Sequence, residues 1–112
     1  MIAMKQFEQN WLANVNNIID ANLKNPDFQL MDITRKLDIS RAKLYRKVTK
    51  LTGYSPAEYI RKKRLRKALE ILEIGVYPTV KETSVAVGFR SPEYFSKLFF
   101  QEYKKLPSEY LK

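Results

Sequence analysis

Two short stretches carry the side chains best suited to gripping a polyanion. Residues 40–50 read Ser-Arg-Ala-Lys-Leu-Tyr-Arg-Lys-Val-Thr-Lys. Leu44, Val48 and Leu51 recur at helical spacing and face inward, which leaves Arg41, Ala42, Lys43, Tyr45, Arg46, Thr49 and Lys50 on or beside the outer face. The planar fork of Arg46 matches the paired O6 and N7 acceptors of guanine, and the methyl of Ala42 suits a thymine methyl. Tyr45 reaches a base edge or a phosphate. Arg41, Lys43, Lys47 and Lys50 suit phosphate oxygens, as does Ser40 or its neighbouring backbone N–H groups. Residues 91–97 read Ser-Pro-Glu-Tyr-Phe-Ser-Lys. Here Pro92, Glu93, Ser96 and Lys97 take the outward positions, and Ser91 is the counterpart of Ser40. Lys97 reads a base or holds a phosphate. Glu93 can accept from the N4 amine of cytosine, but a carboxylate in the first turn of a helix is favourable for its own sake.

The charge supports that chemistry. The 112 residues hold 21 lysines and arginines against 12 acids, a formal charge of +9. Residues 1–27 carry two basic and three acidic side chains, residues 28–55 seven and two, residues 56–75 six and three, and residues 76–112 six and four. The excess therefore follows the two stretches and the segment between them, as a nucleic-acid-facing surface requires. The rival reading is a helical protein-interaction module with an incidental basic surface. Enzymatic chemistry has little to work with: there is no histidine and no cysteine, no glycine-rich phosphate loop and no metal-ligand spacing. No cofactor or metal is expected. An apolar fraction of 45% is ample for a core. No run of apolar residues is long enough to span a membrane, nothing at the start reads as a signal peptide, and the lack of cysteine points to an intracellular location.

The elements that must position these residues are helices. Phe7, Trp11, Val15, Ile18, Ile19 and Leu23 share one face of a helix from about Lys5 to Lys24, ended by Asn25-Pro26-Asp27. Residues 30–37 form a short helix with Leu30, Ile33 and Leu37 inward. Asp38-Ile39 is a turn, Ser40 caps the helix at about 41–52, and Gly53 is placed for a left-handed cap. Ser55-Pro56 opens a long helix that stops at Gly75; about 1.5 Å per residue makes it roughly 28 Å long. Its inward residues are Tyr59, Ile60, Leu65, Ala68, Leu69 and Leu72, with Arg61, Lys62, Lys63, Arg66 and Lys67 outside. Thr79 caps a helix at 80–87 and Gly88 turns the chain. Ser91-Pro92 opens a helix at about 92–103 with Tyr94, Phe95, Leu98 and Phe99 inward. A short helix starts at Pro107. No segment alternates with period two, so the fold is all-α, with about seven helices.

The second half repeats the first. Ser91 falls on Ser40 at an offset of 51, which also sets Phe95 on Leu44, Phe99 on Val48, Pro107 on Pro56 and Tyr110 on Tyr59. The preceding helices align at an offset of 50, so the second turn is one residue longer. Both copies end in Pro-x-Glu-Tyr. Duplication explains this better than two unrelated hairpins.

These residues resemble the DNA-binding domain of the AraC/XylS family of bacterial transcription regulators. The second copy carries the clearest likeness: Val87-Gly88-Phe89-Arg90-Ser91, Tyr94-Phe95-Ser96-Lys97, Phe99 and Pro107-Ser108-Glu109-Tyr110. The first carries Ser40-Arg41, Leu44-Tyr45-Arg46-Lys47, Leu51-Thr52-Gly53, Ser55-Pro56 and Arg64-Leu65 with Ala68. The Leu-Tyr-Arg-Lys and Leu-Thr-Gly stretches resemble the C-terminal output module of Bacteroidetes hybrid two-component regulators. The resemblance implies two helix-turn-helix subdomains, residues 1–55 and 75–112, joined by a connector helix at 56–74. It implies sequence-specific binding of double-stranded DNA, with a recognition helix from each copy in adjacent major-groove segments, about 34 Å apart on one face. Ala42, Tyr45 and Arg46 match its base-contacting positions. RNA polymerase is an implied partner, the cytoplasm and nucleoid the implied location, and dimerisation the task of regions outside this chain, which reads as an excised domain. The sequence departs from the family pattern at Thr34 and Ser84, where alanine is usual. It departs again at Thr83 in place of isoleucine, Lys104 in place of glycine, and Phe100 in place of a basic residue.

Overall fold

Each helix begins where a side chain closes off its free N–H groups. Ser40 Oγ accepts from Lys43 N–H at 3.1 Å, Ser55 Oγ from Glu58 N–H at 3.2 Å, Thr79 Oγ1 from Glu82 N–H at 3.1 Å and Ser91 Oγ from Tyr94 N–H at 3.1 Å. Where no hydroxyl stands at the cap, an acid three residues on reaches back. Glu8 takes Lys5 N–H at 3.0 Å, Asp32 takes Gln29 N–H at 2.9 Å and Glu109 takes Leu106 N–H at 2.6 Å. The result, in a computed structural model that describes residues 3–111, is α1 (Gln6–Ala21), α2 (Leu30–Leu37), α3 (Arg41–Thr52), α4 (Pro56–Ile74), α5 (Val80–Ala86) and α6 (Pro92–Tyr103). A 3₁₀ turn at Pro107–Tyr110 follows, with no strand among the described residues. The all-α expectation holds.

The turns and helix ends use the left-handed region at corresponding positions of the two halves. Asp38 (φ 52°) follows α2 and Gly88 (φ 85°) follows α5; Gly53 (φ 82°) and Lys104 (φ 57°) end α3 and α6 at equivalent positions. Capping Ser40 lies two residues after Asp38, whereas Ser91 lies three after Gly88. The second turn is therefore one residue longer, as the alignment of the copies requires. α1 stops earlier than expected, at Ala21, because Asn22 turns its side-chain amide onto Ile18 O at 2.8 Å.

The chain divides into two compact units. One runs to Asn22 and takes in Phe28–Arg61; the other is Leu23–Asp27 with the residues from Lys62 onward. α4 is continuous, but its residues up to Arg61 count with the first unit and the rest with the second.

In the first unit α1 packs on α2 and α3, and α2 on α3. Val15, Ile19, Phe28, Ile33, Leu44, Val48 and Ile60 are its buried apolar residues. Thr34 is buried with them, its hydroxyl turned back to Met31 O at 2.6 Å. Tyr59 donates its hydroxyl to Asn16 Oδ1 at 2.7 Å, and burial raises the phenol above its ordinary pKa. Phe7, expected inward, is 68% exposed. It sits in the first turn of α1, two turns before Val15, the first fully buried residue of that helix.

In the second unit Leu65, Ala68, Leu72, Val87, Phe95 and Phe99 form the core, flanked by Phe89, Leu98, Tyr103 and Tyr110. Phe89, Phe95, Phe99 and Tyr110 form a chain of ring contacts with centroids 5.2–5.8 Å apart. Tyr94 departs from expectation: its ring meets Phe89 edge-on, but the side chain is 50% exposed. Thr83 and Ser84 are fully buried, and their hydroxyls donate to Thr79 O at 3.1 Å and Lys81 O at 2.8 Å. Each buried hydroxyl that departs from the family pattern is thus satisfied by the preceding turn of its own helix.

Arg64 was not expected inside, yet it is 6% exposed. Its Nη1 donates to Leu23 O and, at 2.8 Å, to Val87 O; its Nη2 donates to Asn25 O at 3.1 Å. The guanidinium ties the segment after α1 and the turn after α5 to α4. Burial draws its pKa below the usual arginine value. Gly88 lies against it: a Cβ there would stand 1.8 Å from Arg64 Nη1 and 2.3 Å from Leu23 O. The turn thus needs glycine twice over, for its φ and for the space.

Candidate nucleic-acid interface

In the first unit the interface is the outer face of α3. Leu44 and Val48 are fully buried and orient the helix. Ser40, Arg41, Ala42, Lys43, Tyr45, Arg46 and Lys50 are exposed; Lys47 and Thr49 are half-buried. Tyr45, Arg46, Lys47, Thr49 and Lys50 line one shallow groove. Tyr45, 53% exposed, stands out from the helix rather than into the core. α3 has no acid in its first turn, so the positive end of the helix dipole and the Arg41 and Lys43 side chains act in one direction, toward an anion. Two of the expected phosphate contacts already have partners on α1. Lys47 Nζ lies 4.2 Å from the centre of the Trp11 ring, a cation–π contact. Lys50 Nζ lies 3.6 Å from Glu8 Oε2. Backbone acceptance from Lys5, and secondarily the Lys50 charge, lowers the Glu8 pKa.

The second unit presents the corresponding face of α6 differently. Glu93 and Lys97 are exposed, and Ser91, Pro92 and Ser96 half-buried. The Ser91 hydroxyl accepts from Tyr94 N–H and donates to Glu93 Oε2 at 3.2 Å, so Ser91 and Glu93 form one capping arrangement. An acid therefore occupies the first turn of α6, where α3 has none. Several cations of this unit are engaged nearby: Arg90 pairs with Asp27, Lys62 with Glu102 at 2.9 Å, and Lys105 lies over the Tyr110 ring. The outer face of α3 is the more electropositive of the two.

The architecture defines a helix-turn-helix protein with two such units. A family model described as a helix-turn-helix domain matches residues 33–112, and the chain belongs to this family, in its AraC-type branch. Among its relatives is Histidine kinase P4 of Formosa agariphila, 31% identical over 109 residues, 97% of this chain and 8% of that protein. Another is the Msm operon regulatory protein of Streptococcus mutans, 37% identical over 72% of this chain and 29% of that protein. The chain thus spans less than a third of the length of either. The C-terminal domain of the two-component response regulator yesN from Fusobacterium nucleatum superposes with a TM-score of 0.81 at 28% identity, covering 92% of this chain and 99% of that one. The DNA-binding domain of AdpA, solved in complex with a target DNA, superposes at 0.79 with 27% identity over 88% and 87% of the two chains.

Proposed function

We infer that the chain is the sequence-specific, double-stranded-DNA-binding module of a bacterial transcription regulator. The observation that carries this is the outer face of α3: Arg41, Lys43, Arg46 and Lys50 exposed around Ala42 and Tyr45, on a helix whose first turn has no acid. Family membership and the likeness to a domain crystallised on its target DNA support it.

In this reading α3 and α6 each enter a major-groove segment. Ala42, Tyr45 and Arg46 read bases from the first unit; Pro92, Glu93, Ser96 and Lys97 read them from the second. Ser40, Arg41, Lys43, Lys47, Lys50 and Ser91 hold phosphates, the two serines through backbone N–H groups beside their capped hydroxyls. The first unit supplies most of the affinity, and the second sets register. The module is the output end of a longer regulator of the two-component kind, working with RNA polymerase in the cytoplasm, with dimerisation elsewhere in that protein. The likeness to a response-regulator C-terminal domain and to a much longer histidine kinase supports that placement.

The test is selection of duplexes from a random pool followed by footprinting. The expected result is a defined sequence with two protected segments. Uniform binding to all duplexes, or preference for single strands, overturns the reading.

A further inference from the structure

We propose that α1 attenuates the DNA affinity of the first recognition helix, with Glu8 acting as an internal competitor for the phosphate contact of Lys50. The inference rests on the DNA-binding reading above and adds a role for a helix that precedes the residues matched by the family model.

Two side chains one turn apart on α1 meet two side chains one turn apart on α3. Trp11 lies under Lys47 at 4.2 Å and Glu8 beside Lys50 at 3.6 Å. Both lysines belong to the basic face proposed to meet the duplex. The Glu8 carboxylate is fixed before it meets Lys50, because its other oxygen accepts Lys5 N–H at 3.0 Å. It is half-buried, with 18% of its side chain exposed, whereas Lys50 is 76% exposed. The acid is anchored, and the lysine stands largely in solvent. A phosphate approaching Lys50 therefore meets an ammonium already facing a fixed negative charge, and must draw it away or share it. Trp11 and Lys47 hold α1 in register on α3, so the competitor cannot drift off. The basic patch delivers less attraction than its lysine number implies, and any movement of α1 away from α3 raises it.

Glu8→Gln separates the effects. Glutamine at this position keeps the capping bond to Lys5 N–H and removes only the charge. Binding of a duplex recovered by selection is measured by fluorescence anisotropy for the wild type, Glu8→Gln, Lys50→Ala and the double variant, across a salt series, with thermal melts to establish folding. Glu8→Gln should tighten binding about two- to fivefold, the range of an exposed ion pair, and steepen the salt dependence by up to about 0.9 in log–log slope. In the Lys50→Ala background the gain should vanish. Unchanged or weaker binding by folded Glu8→Gln, or a gain that survives loss of Lys50, overturns the inference. If the wild type itself prefers no duplex over random sequence, the DNA-reading assignment fails first, and the Glu8 proposal falls with it.

Discussion

Replacing Gly88 with alanine should be far more damaging than the same change at the other two glycines, and the structure says by how much. All three have positive φ: 82° at Gly53, 78° at Gly75 and 85° at Gly88. An L-residue in the left-handed region costs about 1–2 kcal/mol. At Gly53 and Gly75 the added methyl meets nothing within 4 Å, so that is the whole penalty. At Gly88 the methyl falls 1.8 Å from Arg64 Nη1 and 2.3 Å from Leu23 O, so the guanidinium must move. Arg64 is buried, and its bonds to Leu23, Asn25 and Val87 carbonyls go with it. A hydrogen bond to a charged group contributes about 1.5–3 kcal/mol, so losing one or two brings the total for Gly88→Ala to about 2.5–8 kcal/mol. That is a large part of the about 5–15 kcal/mol that holds a typical domain folded. Urea denaturation of the three alanine variants measures the contrast. Because both changes act on one contact, the double variant Gly88→Ala with Arg64→Ala should cost at least about 1 kcal/mol less than the sum of the singles. Equal penalties at all three glycines, or strict additivity with Arg64→Ala, would refute the reasoning.

Other consequences follow from the same geometry. Arg46→Ala should lose about 1–3 kcal/mol of binding and relax preference at one base pair, whereas Lys43→Ala should weaken all duplexes alike; binding to a panel of single-site operator variants distinguishes them, and uniform loss in both would reassign Arg46 to a phosphate. Lys104 holds a left-handed conformation where Gly53 stands in the first copy. Lys104→Gly should therefore stabilise the protein by about 0.5–1 kcal/mol, the relief of strain less the entropy of glycine; a lower melting temperature would contradict this.

Most helix boundaries were legible because they are set locally. Ser55-Pro56 and Gly75 bracket α4, and Asp38, Gly53 and Gly88 mark the turns, since caps and left-handed residues act within a few positions of themselves. What escaped depends on partners distant in sequence. Phe7 and Tyr94 have the spacing of core residues, but each stands near a helix start, where little covers its outer side. Arg64 hides in a run of cations from Arg61 to Lys67. Its signal was nonetheless present: Ile60, Arg64, Ala68 and Leu72 recur every four residues, and all four are buried. For the interface, the outward set on α3 followed from the inward set of Leu44 and Val48. The capture of Lys47 by Trp11 and of Lys50 by Glu8 did not, because nothing in either stretch fixes how α1 turns against α3.

The central claim is that this module distinguishes one duplex from another. Its most direct test is competition at a single fixed salt concentration between a selected duplex and a scrambled duplex of equal length and composition, since electrostatics alone treats the two alike. The module should prefer the selected duplex by at least about a hundredfold, the effect of roughly two mismatched base pairs. Equal affinity for both would contradict it.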